Sequence, residues 1–208
     1  IKLFFSAADL KNVLTRVIID WVELVSIINS EFDPSSSLEW LSSDSVIFMR
    51  HGHSVQQIPD FQRSLSTLGK EECKQTAAIF STIKPPIATL CSSANRCIET
   101  VNLVGQLSGL RLTANCEYIE ELYLAPLHTI KRILKYKRKQ NTKTLVVGHN
   151  PGMSDVLNEL KFKRASNTNM EMLATCGIFI CDLRNDSGNS QNLDLVLRYQ
   201  YSPVISQG

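Results

Sequence analysis

No two of the six cysteines, at positions 73, 91, 97, 116, 176 and 181, are spaced C-x-x-C. That absence argues against a zinc ribbon or a thioredoxin-like redox site. With no secretory signal in view, the thiols read as reduced and the protein as cytoplasmic. Nor is there an apolar run of about 20 residues, the length a bilayer span requires. The richest stretch, residues 10–28, is broken by Lys11, Arg16, Asp20 and Glu23. Charge of one sign is not in excess either: 22 Lys and Arg face 20 Asp and Glu, a net of +2, so whole-chain electrostatics do not favour a nucleic-acid partner. Internal repeats and low-complexity tracts are missing. The start at Ile1 leaves room for a targeting peptide removed upstream.

What is present suits one domain with an appended segment: 208 residues, 43% of them hydrophobic, enough for a well-buried core. Leu10, Leu14, Val17, Trp21, Leu24 and Ile28 recur at spacings of three and four, which predicts an amphipathic helix over residues 7–29. Such a helix suits docking on its own domain, or a short coiled coil that would make a homodimer. A Ser- and Pro-bearing linker, NSEFDPSSSLEW, follows, so the expected division is 1–40 for helix and linker and 41–208 for the main domain.

From Ser45 onward strands and helices alternate. VIFM at 46–49 is a short continuous apolar run, as expected of a strand buried on both faces. Ser66 or Thr67 can cap the helix that follows. PPIATLCSS, RLTANCEYI and KTLVVGHN read as strands, and NRCIETVNLVGQL and HTIKRILKYKRK as helices, with a further helix from near Met153. GIFICDL and LDLVLRYQY close the chain as an antiparallel pair around a polar turn. The predicted fold class is a three-layer α/β sandwich with a mostly parallel central sheet.

In open parallel sheets the ligand site lies beyond the carboxyl ends of the strands. Arg50 and His51 follow the first apolar run; Ser92, Ser93 and then Arg96 follow the second; His149 follows TLVVG. Two arginines and two histidines thus converge on one edge. Guanidinium forks suit phosphate oxygens, and imidazole is a competent nucleophile whose charge is set near neutral pH. No carboxylate cluster accompanies them and two arginines repel cations, so the expectation is an anion pocket that needs neither metal nor cofactor.

MRHG after an apolar strand, then SSANRCIET, then LVVGHNPGMSD together resemble the histidine phosphatase superfamily, with its phosphoglycerate-mutase-like fold, and within it the SixA-type phosphohistidine phosphatases. Arg63-Ser64-Leu65-Ser66 ahead of Gly69, Arg96 with Thr100, and Thr175 extend the resemblance over about residues 45–200. Ser64 and Ser93 stand where that branch carries proline. Its second acidic position after the third strand is Leu124 here, and Glu121 is the best-aligned general acid.

The resemblance implies a metal-independent phosphatase in which His51 attacks phosphorus and becomes transiently phosphorylated. Arg50, Arg96, His149 and the Gly52 turn would hold the phosphoryl group. Arg63 and His53 are expected at the substrate rim; pairing of His53 with His51 on a metal is the lesser reading, and His128 reads as a surface residue at a helix start. A weak acid favours a phosphohistidine in a protein over a phosphate ester, whose alkoxide needs a proton. Two rivals remain: a small-molecule phosphatase or mutase of the same fold, and a non-catalytic phosphate-binding module. The basic run Lys131, Arg132, Lys135, Lys137, Arg138 and Lys139 reads as a solvated helix face, with docking of an acidic partner as the alternative.

Overall fold

The computed structural model describes residues 38–164, 169–184 and 194–204. The amphipathic helix expected over 7–29, and any dimer built on it, lie outside the described residues. Packing of the described domain begins at Leu38, which is buried and whose amide donates to Thr82 Oγ1 at 3.1 Å.

Among the described residues six strands form one sheet in the order β3-β2-β4-β1-β5-β6. They are β1 (Ser45–Arg50), β2 (Ile87–Ser92), β3 (Cys116–Ile119), β4 (Lys143–Gly148), β5 (Ile178–Arg184) and β6 (Asp194–Tyr201). The first four pair in parallel, whereas β5 runs antiparallel to both β1 and β6. Among the described residues four α-helices accompany the sheet: α1 (Thr67–Phe80), α2 (Asn95–Ser108), α3 (Leu127–Lys137) and α4 (Gly152–Arg164).

The apolar run in β1 follows from this layering. Ile47 and Met49 point into a core shared with Cys73, Ala77 and Phe80 of α1 and Val101 and Val104 of α2. Val46 and Phe48 point the other way, into a core with Ile130, Ile133 and Leu134 of α3 and Val156 and Leu157 of α4. Because side chains alternate along a strand and both faces are covered, every position from 46 to 49 must be apolar. Phe48 also stacks on Phe179 of β5 at 4.7 Å between ring centroids.

Two local outcomes sharpen the sequence expectations. Ser66, not Thr67, caps α1, its side chain accepting from the Gly69 amide. The third strand is shorter than RLTANCEYI: it starts at Cys116, because residues 111–115 turn back on themselves, the Ala114 amide donating to the Arg111 carbonyl. Among the described residues no helix is long and apolar enough to cross a membrane.

Register then positions the site. Arg50 pairs directly with Gly148 across the parallel β1–β4 ladder, so the residues that follow each strand, His51 and His149, emerge side by side. The N-termini of α1 and α4 close on the same edge. A Cβ on Gly69 would come within 2.0 Å of the His53 carbonyl, and one on Gly152 within 2.0 Å of the Ala125 carbonyl. Only glycine permits approaches this close.

Candidate active site

His51 leaves β1 into a pocket and is 8% exposed. Its backbone is fixed on both sides: its amide donates to the Gly148 carbonyl and its carbonyl accepts from the Cys176 amide. The ring is fixed as well. Nδ1 lies 2.7 Å from the Gly52 carbonyl, which has only an acceptor to offer, so Nδ1 carries the proton. Nε2 accepts from Arg96 Nε at 3.2 Å and is therefore the unprotonated nitrogen. The Gly52 amide donates to Thr100 Oγ1, whose hydroxyl donates to the Arg96 carbonyl, so the glycine turn and the helix carrying Arg96 are locked together.

Arg96, in the first turn of α2, is 2% exposed and organises the floor. Besides His51 it donates through Nη2 to His149 Nδ1 at 3.2 Å. His149 Nε2 then carries the proton and donates to Ser92 Oγ at 2.9 Å. The two imidazoles stand 4.9 Å apart between centroids. Burial pushes both pKa values down to about 3, with the nearby guanidiniums adding to the shift and, for His149, the neighbouring His51 as well. Both rings are neutral at pH 7. Arg50 donates through Nη1 to the Leu173 carbonyl at 2.8 Å, and its Nε is buried without a hydrogen-bond partner, leaving a donor unspent. Burial lowers the Arg50 pKa, against the opposing field of Glu72.

These side chains line a cavity of about 500 Å³, within the range of small-ligand sites. His53, Arg63 and Thr175 reach it too. His53 sits at the rim, its Nδ1 2.7 Å from Ser66 Oγ and its amide donating to the buried Glu72. Glu72 also accepts from Thr175 Oγ1. Arg63 braces its own loop through the Val55 carbonyl and lines the mouth.

The geometry does not bring Glu121 to the site. Its carboxylate is 59% exposed, pairs with Arg132 on α3 and is absent from the cavity wall. The short 3-10 turn Glu120–Leu122 rotates the segment so that the next residue, Tyr123, faces inward instead. Tyr123 stacks edge-on against His149 and donates from its hydroxyl to Asp60 Oδ2 at 2.6 Å. Asp60 went unrecognised in sequence: an aspartate three residues before an arginine in a polar loop carries no signal by itself. In the fold it accepts from Tyr123, Arg63 and Arg96, which hold its carboxyl well below the usual range, and the same contact to Asp60 raises the Tyr123 pKa.

The basic helix α3 is largely neutralised by neighbours. Lys131 pairs with Glu159, Arg132 with Glu121, Lys137 with Glu117, and Arg138 with Asp44. This is the solvated, ion-paired face that such runs usually make. Among the described residues, no group of three or more His, Cys, Asp or Glu gathers as a metal site would require.

No family model matches the chain. An uncharacterized protein of Mycobacterium leprae (strain TN) is 29% identical over 158 residues, spanning 71% of this chain and 92% of that protein. Among solved structures, the protein histidine phosphatase SixA complexed with tungstate superposes with a TM-score of 0.60 at 24% identity, covering 76% of this chain and 96% of its own. A mycobacterial glucosyl-3-phosphoglycerate phosphatase superposes with a TM-score of 0.53 at 12% identity, covering 77% of this chain and all of its own.

Proposed function

We propose, from the phosphoglycerate-mutase-like fold that this chain shares with the histidine phosphatases, that it is a metal-independent phosphatase whose nucleophile is His51 and whose preferred substrate is phosphohistidine in a protein. The observation that carries this reading is the orientation of His51: Nδ1–H is tied to the Gly52 carbonyl, and the Nε2 lone pair faces Arg96 across the cavity.

Attack by Nε2 forms an N–P bond while the bond from phosphorus to the leaving atom breaks, its electron pair departing with that atom. Arg96 transfers its donors from the lone pair to the equatorial oxygens, joined by Arg50, and offsets charge in the transition state. His149 stays neutral and keeps Arg96 oriented through Nδ1 while its Nε2–H donates to Ser92. Water next attacks phosphorus, the N–P bond breaks, and inorganic phosphate leaves with His51 neutral again.

Substrate preference follows from what the wall lacks. Asp60 is ionised, both imidazoles are neutral, and the Tyr123 proton is held by Asp60. Among these groups of the described residues no general acid stands ready, a deficit of roughly 10²–10⁴-fold for an alkoxide leaving group. An imidazole that departs protonated suffers less. Exposed apolar Ile58, on the loop that carries Asp60, offers a polypeptide a contact surface. The competing reading, a small phosphate ester as substrate, draws on the glucosyl-3-phosphoglycerate phosphatase among the structural neighbours.

The test is phosphate release with EDTA present from a phosphohistidine peptide, p-nitrophenyl phosphate and 3-phosphoglycerate, by wild type and His51→Ala, with trapping of labelled His51. The expected result is that order of kcat/KM, loss of at least roughly 10³-fold in the variant, and label on His51. Fastest turnover of phosphoglycerate selects the small-ester reading, and full activity of His51→Ala overturns the assignment.

A further inference from the structure

The cavity wall carries three arginines, Arg50, Arg63 and Arg96, and a single carboxylate, that of Asp60. Every oxygen of Asp60 that can accept is engaged with the floor or rim. Oδ1 takes Arg63 Nη1 at 2.9 Å. Oδ2 takes Arg96 Nη2 at 3.0 Å and Tyr123 Oη at 2.6 Å. The backbone carbonyl takes Arg96 Nη1 at 2.7 Å. The side chain is nonetheless 46% exposed, whereas that of Arg96 is 3% exposed. The carboxylate therefore lies on the solvent side of the guanidinium that faces the nucleophile, where whatever is attached to a bound phosphoryl group must pass.

With the imidazoles of His51 and His149 neutral, and His53 at the rim left aside, three guanidiniums and one carboxylate leave a wall charge of +3 − 1 = +2. A phosphoryl group near its dianionic form brings about −2. One phosphoryl group thus neutralises the wall, and a second anion on the same substrate meets the Asp60 carboxylate at the mouth with no net positive charge left to attract it. Glu72 does not alter this count at the mouth: it lies beneath the floor, bonded to the His53 amide and Thr175, and faces Arg50.

From this arrangement we infer that Asp60 is a specificity-determining residue that admits a phosphoryl group on a neutral or cationic leaving group and disfavours substrates carrying a second anion, such as a carboxylate or another phosphate. The inference rests on the phosphatase reading above. It adds what that reading lacks, a residue that selects a phosphorylated imidazole over a phosphorylated hydroxy acid by charge and not by size. Mutual avoidance of like charges at close range is how interfaces reject wrong partners.

The deciding experiment compares wild type with Asp60→Asn and Tyr123→Phe. It measures kcat/KM for the phosphohistidine peptide and p-nitrophenyl phosphate, and inhibition constants for inorganic phosphate and 3-phosphoglycerate, each at low and high salt. Asp60→Asn is expected to improve 3-phosphoglycerate binding relative to inorganic phosphate by roughly 10-fold, equivalent to ~1.4 kcal/mol. It should also lower the phosphohistidine to p-nitrophenyl phosphate ratio, and both changes should shrink at high salt. Tyr123→Phe, which loosens the carboxylate but keeps its charge, should leave both ratios close to wild type. If Asp60→Asn moves all four quantities by one common factor, Asp60 only positions Arg96 and the inference is overturned. Should Asp60→Asn fail to fold, Asp60→Ser serves in its place; ratios unchanged there also overturn it. Calorimetric affinities for phosphate and 3-phosphoglycerate test the same charge selection without turnover, so a wild type that hydrolyses nothing and labels no histidine sinks the phosphatase reading while this comparison still stands or falls alone.

Discussion

The floor of the cavity and its rim are built on different terms. The floor, comprising His51, Arg96 and His149, is 2–8% exposed, hangs from strand ends and a helix start, and has its tautomers dictated by backbone and guanidinium partners. The rim, comprising Asp60, Arg63 and Tyr123, comes from loops and short 3-10 turns and is joined mainly by side-chain contacts. Charges in the floor act in a water-poor medium where each is strong and costly to leave unpaired; those at the rim are screened and adjustable. On the proposed reading, chemistry belongs to the first region and discrimination to the second.

That contrast can be broken most severely at the floor. Arg96→Ala is expected to lower kcat/KM by roughly 10²–10³-fold on every substrate. Arg96→Lys should recover little, since one ammonium cannot span His51, His149 and Asp60 as the guanidinium fork does. Steady-state kinetics on p-nitrophenyl phosphate check both, and a lysine variant near wild type would mean that the fork geometry is dispensable.

A smaller effect is expected beneath the floor. Glu72 is buried and serves the His53 amide and Thr175 Oγ1 together. Glu72→Ala strands both donors and should cost about 1–3 kcal/mol of stability, read by urea unfolding.

The imidazoles supply a pH test. Their folded pKa values, about 3, lie below the ordinary 6.5. Above pH 6.5 they are neutral in both states and their contribution is complete. As pH falls from 6.5 toward 3 the unfolded chain takes up protons that the folded chain refuses, so stability drops. Unfolding free energy should therefore be lower at pH 5 than at pH 7.5. The carboxylates with lowered pKa values, Asp60, Glu159 and Glu171, act in the same direction, but chiefly as pH approaches their ordinary values of 3.8 and 4.5, below most of the interval from pH 7.5 to 5. Imidazole NMR should show both site rings still neutral at pH 5.

Least of all should follow from Glu121→Gln. With its carboxylate on Arg132 at the surface, the variant should keep kcat/KM within about twofold of wild type, as an exposed ion pair is worth little. A loss of 10-fold or more would return Glu121 to the mechanism.

Arg50, His51, Arg96 and His149 were legible because each stands next to an apolar run or a helix start, and strand ends in a parallel sheet share one edge whatever the loops do. The sandwich itself was legible in the two-sided apolar run of β1 and in the change of period between strands and helices. Local pattern thereby determined the layers and the cationic character of the pocket. What tertiary structure alone decided is which way a loop faces. A 3-10 turn of three residues exchanged Tyr123 for Glu121 at the wall, and a loop with no periodicity laid Asp60 across Arg96. Such side chains are placed by contacts between segments distant in sequence, 36 residues apart for Asp60 and Arg96 and 63 for Asp60 and Tyr123, and no local spacing encodes them.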